Sequence, residues 1–165
     1  MIIGIDPGIT GAISFFDDDG KFLGVEDMPT MALNNKKQIN PVALNDLLQL
    51  VPFSLFFSEE MRASQVAYLE KVHAMPGQGV SSMFNFGMGY GVIQGVLAAN
   101  EVPLHLVTPQ KWKKHQGLIG KDKDCARTLA QQLYPQASLS RKKDIGRADA
   151  MLIGDYGVQQ KKIGV

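Results

Sequence analysis

The chain opens on a short unbroken apolar run, Met1-Ile2-Ile3-Gly4-Ile5, that stops at Asp6. Runs this short, bounded by turn residues, predict buried strands, so Ile2 to Asp6, Gly11 to Phe16 and Lys21 to Glu26 are expected as three consecutive strands. Asp17-Asp18-Asp19-Gly20 supplies the turn between the second and third, and Pro7 to Gly11 a tight link between the first two. Residues 27–40 are mostly polar and are expected as a loop, after which Pro41 suits the first turn of a helix reaching about Val51. The apolar and acidic residues from Phe53 to Met61 follow neither period. Val66 to Val72 reads as a buried strand, broken by Ala74-Met75-Pro76-Gly77-Gln78-Gly79. Ser81 or Ser82 can cap a helix running to about Asn100, with Gly87, Gly91 and Gly95 on one face, where the sheet or a second subunit could approach closely. Leu104 to Thr108 predicts a further strand leading into a basic loop. A helix follows from Asp122 or Asp124 to Tyr134, with Ala126, Leu129, Ala130 and Leu133 at helical spacing, and Pro135 ends it. The last helix carries Ala148, Met151, Leu152 and Asp155 towards Tyr156. Three early strands followed by alternating helices and strands predict an α/β chain with a mixed sheet flanked by helices.

With 165 residues, 45% of them apolar, the chain suits one well-buried domain spanning 1–165. The lone cysteine, Cys125, excludes an internal disulfide framework and fits a reducing cytoplasm, no export signal is read at the N-terminus, and no apolar run is long enough to span a membrane. The net charge of +1 conceals an asymmetry. Residues 1–107 carry five Lys/Arg against eleven Asp/Glu, whereas residues 108–147 carry ten against three. Lys111, Lys113, Lys114, Lys121, Lys123, Arg127, Arg141, Lys142, Lys143 and Arg147 form that basic block, which is either a solvated face or the footprint of a polyphosphate partner.

Three apolar segments each deliver a carboxylate: Asp6 at the end of the first strand, Glu70 after Gln65-Val66-Ala67-Tyr68-Leu69, and Asp149 before Ala150-Met151-Leu152-Ile153. Burying carboxylates together without a counter-charge is costly, and a divalent cation between them is the usual resolution. Acids so placed point to metal-assisted phosphate chemistry.

Gly4-Ile5-Asp6-Pro7-Gly8-Ile9-Thr10-Gly11, then Leu69-Glu70-Lys71-Val72, then Arg147-Ala148-Asp149-Ala150, in this order and at these intervals, resemble the RuvC-type Holliday junction resolvases of the RNase H-like superfamily. Met75-Pro76-Gly77-Gln78-Gly79 with Phe84-Asn85-Phe86-Gly87, and Thr108-Pro109-Gln110-Lys111-Trp112-Lys113-Lys114, are similar to its phage and prophage members. The resemblance covers nearly the whole chain. It implies an RNase H-like fold with a mixed five-stranded sheet, three antiparallel N-terminal strands and then parallel ones. It also implies a homodimer that cuts four-way or other branched DNA, a host-cell cytoplasm, and two Mg²⁺ or Mn²⁺ ions per site held by Asp6, Glu70 and Asp149. Such ions, ~3.5 to 4 Å apart, clamp the attacking and leaving oxygens of an in-line displacement.

The pattern departs from the family where a second acid or histidine commonly precedes the last aspartate by about one turn, for Gly146 stands there. Asp144 is the nearest replacement; five residues differ by ~140° on a helix, so it joins the site only from the helix N-terminus, and its other reading is an N-cap. Glu59 and Glu60 are rivals of Glu70, which is preferred because Lys71 to Pro76 follows it as in the family. Further roles implied by the resemblance are Lys113 and Lys123 beside the scissile phosphate, with Lys123 stabilising developing charge, and His73 at the junction centre. Lys111, Lys114, Lys121, Arg127 and Arg147 are expected as phosphate contacts. Trp112 reads as a packing anchor, and Phe84, Phe86 and Tyr90 as core or subunit interface, not as a stacking platform. Three rival functions stay open: an actin-like or sugar-kinase nucleotide hairpin, an RNase H-like nuclease for RNA or other branched DNA, and a junction-binding protein that does not cut.

Overall fold

The computed structural model describes residues 1–54, 65–73, 77 and 79–164. Strands β1 (Ile2–Asp6), β2 (Ala12–Phe16) and β3 (Phe22–Asp27) form an antiparallel meander. β6 (Val66–Glu70) then lies parallel to β1, and β7 (Leu104–Val107) parallel to β6, giving a five-stranded sheet ordered β3-β2-β1-β6-β7. This is the mixed sheet expected from the sequence.

Helices cover both faces of that sheet. α1 (Pro41–Ser54) and α2 (Val80–Ala99) pack on one side, where Ile3, Ile5, Ile13, Phe15 and Leu69 meet Leu44, Leu48, Ile93 and Leu97. On the other side lie α3 (Pro109–His115), α4 (Lys123–Leu133) and α5 (Ile145–Lys162), against Ile2, Phe16 and Tyr68. Side chains alternate faces along a strand. Since Ile2 and Tyr68 face α5, so do Gly4 and Asp6 on β1 and Glu70 on β6.

The seating of α5 depends on residues that lack side chains. A Cβ at Gly4 would overlap the Ala150 carbonyl oxygen and the Gly154 backbone, so helix and strand touch main chain to main chain. Ser14 Oγ, buried on β2, donates to the Ala150 carbonyl at 2.7 Å and fixes the helix rotation. That rotation places Asp149 over the ends of β1 and β6.

Two expectations need correction. Residues 27–40 are not a plain loop: β4 (Thr30–Leu33) and β5 (Lys36–Ile39) form a hairpin. Asn34 and Asn35, at φ 49° and 60°, make its two-residue turn, a left-handed pair that asparagine tolerates. The stretch after β7 is not a loop either, because Thr108 Oγ1 accepts from the Lys111 amide and starts α3, with Pro109 in its first turn. Among the described residues no helix is long and apolar enough to cross a membrane.

Candidate active site

The parallel register that pairs Ile5 with Leu69 leaves Asp6 and Glu70 side by side at the carboxyl ends of adjacent strands, facing the same helix. Asp149 comes down from the first half of α5. Burial raises the Asp6 carboxyl well above the usual carboxylate range, and the negative charges of Asp149 and Glu70 push it further. Burial likewise lifts Asp149 to about 6, opposed by Lys113 and Lys123 and reinforced by Glu70. Glu70 is raised by burial and restrained by a hydrogen bond from Trp112 and by Lys113. Five of the residues singled out from sequence, Asp6, Glu70, Asp149, Lys113 and Lys123, therefore share one electrostatic environment.

Glu70 is held at both ends. Trp112, fully buried, donates from Nε1 to Glu70 Oε2 at 2.7 Å, and Tyr90 Oη donates to the Glu70 carbonyl at 3.3 Å. Lys113 Nζ lies 5.1 Å from the Trp112 ring centre. The anchoring expected of Trp112 is therefore joined by a polar role that went unread, although a buried indole N–H almost always needs an acceptor.

Asp144 stands apart from this group. It is buried, but Arg141 grips it through Nε at 2.9 Å, Nη2 at 2.7 Å and the backbone amide at 2.8 Å, which holds its carboxyl below the usual range. Nor does its side chain cap α5; it closes the preceding 3₁₀ turn, Lys142–Asp144. Gly146 has its own steric reason: a Cβ there would overlap the Thr10 carbonyl oxygen and lie 3.1 Å from Asp6 Oδ2. The N-terminus of α5 rests directly on the β1–β2 turn, and no side chain fits between.

The basic block divides similarly. Lys111, Lys114, Lys121 and Lys123 are exposed, as is His73. Arg127 is engaged by the Leu139 carbonyl and Asp124, and Arg147 by Asp27. Phe84 and Phe86 are exposed rather than core, whereas Tyr90, on the inner side of α2, packs against the core between that helix and the sheet. Glu59 and Glu60 lie outside the described residues.

Among the described residues no hydrogen bond or ion pair reaches the carboxyl groups of Asp6 or Asp149. Hard oxygen donors left without a bonded partner in a partly buried, negatively charged setting suit a hard divalent cation. Among the same residues no three acid, imidazole or thiol groups are close enough together to enclose an ion.

This electrostatic load makes stability depend on pH. Between 3.8 and about 6 the folded chain binds more protons at Asp149 than the unfolded chain, so stability falls as pH rises through that window. In chelator, the melting temperature is expected to drop by about 5 °C from pH 4 to pH 6.5, and Mg²⁺ or Mn²⁺ to restore it at the upper end. Asp149→Asn should flatten the drop. A wild-type curve that is flat across the window and insensitive to either ion contradicts this electrostatic picture.

No protein-family model matches the chain. A sequence relative is the Holliday junction resolvase MOC1, chloroplastic, of Chlamydomonas reinhardtii, 29% identical over 155 residues. The match takes in 81% of this chain, which spans only 17% of that longer protein. Among solved structures, Thermus thermophilus RuvC superposes with a TM-score of 0.60 at 14% identity, covering 99% of this chain and 96% of that one. T. thermophilus RuvC in complex with its Holliday junction substrate superposes at 0.64 and 13% identity, with the same coverage. The fold of this chain is that of RuvC.

Proposed function

We propose that this chain, built on the RuvC fold, is a metal-dependent endonuclease that resolves four-way DNA junctions by paired, symmetric hydrolysis of phosphodiesters. The observation that carries the reading is that Asp6 and Glu70, at neighbouring strand ends, and Asp149, on α5, feel one another's charge together with that of Lys113 and Lys123. The similarity to junction resolvases supports the choice of DNA substrate.

In this reading Asp6, Glu70 and Asp149 hold Mg²⁺ or Mn²⁺, with Asp144 left to its structural role beside Arg141. Bound ions supply Lewis-acid polarisation of the phosphate and a water activated for attack. Lys113 and Lys123 stabilise charge developing on the scissile phosphate. The exposed Lys111, Lys114, Lys121 and His73 contact the flanking strands, while Arg127 and Arg147 tie secondary-structure elements together. Paired nicks on a two-fold substrate call for a homodimer, and the exposed outer face of α2, with Phe84, Gly87, Met88, Gly91 and Gly95, is the surface offered for it.

Trp112 acts as a positioning residue by aiming Glu70. Trp112→Phe keeps most of the buried ring and removes the N–H, so junction cleavage should fall by about 10- to 100-fold, the usual cost of losing such a support. Raising the Mn²⁺ concentration should recover part of the loss. A fall in melting temperature with unchanged cleavage would assign Trp112 to packing alone.

A second reading, junction binding without cutting, draws on Gly146, which leaves the site one acid short of the family pattern. Incubation with Mg²⁺ or Mn²⁺ and a synthetic four-way junction, beside linear duplex and an RNA–DNA hybrid, separates these readings. Symmetric nicks in opposing junction strands support the first. Binding of the junction without a cut supports the second, and cutting confined to the hybrid supports an RNA-directed nuclease.

A further inference from the structure

We propose that the groove between the β4–β5 hairpin and the N-terminal half of α2 is a second DNA-binding subsite, receiving an unpaired nucleotide beside the scissile phosphate. The inference rests on the nuclease reading above and deepens it.

The groove has a volume of about 360 Å³, within the range of ~300–1,000 Å³ typical of small-ligand sites. Gly8 and Ile9 form one wall, Lys36 and Lys37 the second, and Asn85 and Phe86 the third. It begins two residues after Asp6. Gly8 adopts φ 113°, which favours glycine, and a Cβ there would lie 3.3 Å from Phe86 Cε2. The Phe86 ring thus lies against the loop that leaves the carboxylate site.

The lining suits one kind of occupant. Phe86 and Ile9 are 41% and 47% exposed, so the groove offers a flat aromatic face to solvent. The Lys36 and Lys37 side chains form no hydrogen bond or ion pair with the described residues, and both are exposed. A nucleotide carries both complements at once, a base to stack on the ring and a phosphate for the lysines. Asn85 can meet a base edge. The cationic rim also continues beyond the groove, because Ile9 and Lys37 border a second cleft that reaches Lys143.

This surface is separate from the basic residues of α3 and α4. The hairpin packs on the α2 side of the sheet through Ile39, whereas Trp112 and α4 belong to the α5 side. The acids at the strand ends would then lie between two cationic walls. A strand leaving the cut site would be gripped on its far side by Lys36 and Lys37, and its first unpaired base would be taken by Phe86.

Two measurements on the full chain test the subsite. Junction affinity is measured across a salt series in chelator for wild type, the double variant Lys36→Ala/Lys37→Ala, and Phe86→Ala. The double variant should lower the slope of log affinity against log salt by about 1.5, since each lost phosphate contact removes ~0.7 to 0.9. Phe86→Ala should weaken binding about tenfold with the wild-type slope, as loss of one stacked base does. Independently, wild-type protein is irradiated on junctions carrying 5-iododeoxyuridine at each nucleotide flanking the cut, and the crosslinked peptide is expected to contain Phe86. Wild-type slopes and affinities in both variants, with crosslinks confined to His73 and α3, would overturn the subsite and leave the nuclease reading standing. A wild-type protein that neither binds nor cuts junctions would overturn both.

Discussion

Asp6→Asn is expected to reduce junction cleavage by about 10³-fold or more while junction affinity in chelator stays within about twofold of wild type. Asp6 is the innermost of the three acids and takes repulsion from both others, so it is the group whose charge an incoming cation offsets most. The amide keeps the shape and removes the charge. Without metal the variant should therefore melt higher than wild type at neutral pH, because a buried, repelled carboxylate has been replaced by a neutral group. The two effects have opposite signs, which separates loss of metal binding from loss of fold. Single-turnover cleavage in Mg²⁺, together with thermal melting in chelator, checks both. A variant that loses cleavage and also melts well below wild type would place Asp6 in a structural role instead.

The second large effect comes from Gly146. The pattern of the RuvC-type resolvases that the sequence resembles suggests that Gly146→Asp would supply a further acid and speed the proposed cleavage. The packing predicts the reverse. The first atom of any side chain would overlap the Thr10 carbonyl oxygen, in the β1–β2 turn, and press within 3.1 Å of Asp6 Oδ2, at the end of β1. Overpacking of this kind costs about 3 kcal/mol, and the added carboxylate would bring further repulsion beside Asp6. Gly146→Asp is expected to melt by roughly 5 to 10 °C below wild type and to cut at least tenfold more slowly. Gly146→Ala should show most of the same destabilisation, since the overlap begins at Cβ. An Asp variant that folds normally and cuts faster would show that the turn yields.

Much of this was legible in the chain itself. The early strands and the three acids were readable because each acid interrupts a short apolar run, which fixes both the element and the end at which the charge emerges. That Asp6 and Glu70 share one face was not legible, because it depends on the register pairing Ile5 with Leu69 and on Ile2 and Tyr68 both packing beneath α5. The β4–β5 hairpin escaped because it lies outside the main sheet: Met31, Ala32 and Leu33 are exposed, and Lys36-Lys37-Gln38 has no apolar period. Only Asn34-Asn35 marked it. The helix over 109–115 was hidden by its lysines, although Thr108-Pro109 is a start signal. Asp144 illustrates what spacing cannot supply: its charge is consumed by Arg141 three residues earlier, a local contact that competes with any distant ligand role. The absence of a side chain at Gly146 had no reading in one dimension, because its cause is a carbonyl oxygen more than a hundred residues away in sequence.

The occupancy of the two-fold substrate and the chemistry of the carboxylates meet in one assay. A supercoiled plasmid extruding a cruciform is incubated with the protein and Mg²⁺ or Mn²⁺, and the products are separated as supercoiled, nicked and linear forms. Two sites acting in one encounter convert the plasmid to linear product, with nicks at symmetry-related positions across the junction, and Asp6→Asn leaves it supercoiled. Linear product that persists at wild-type rate in Asp6→Asn, or a wild-type protein that binds the cruciform in both metals and leaves every strand intact, would contradict a three-carboxylate junction nuclease.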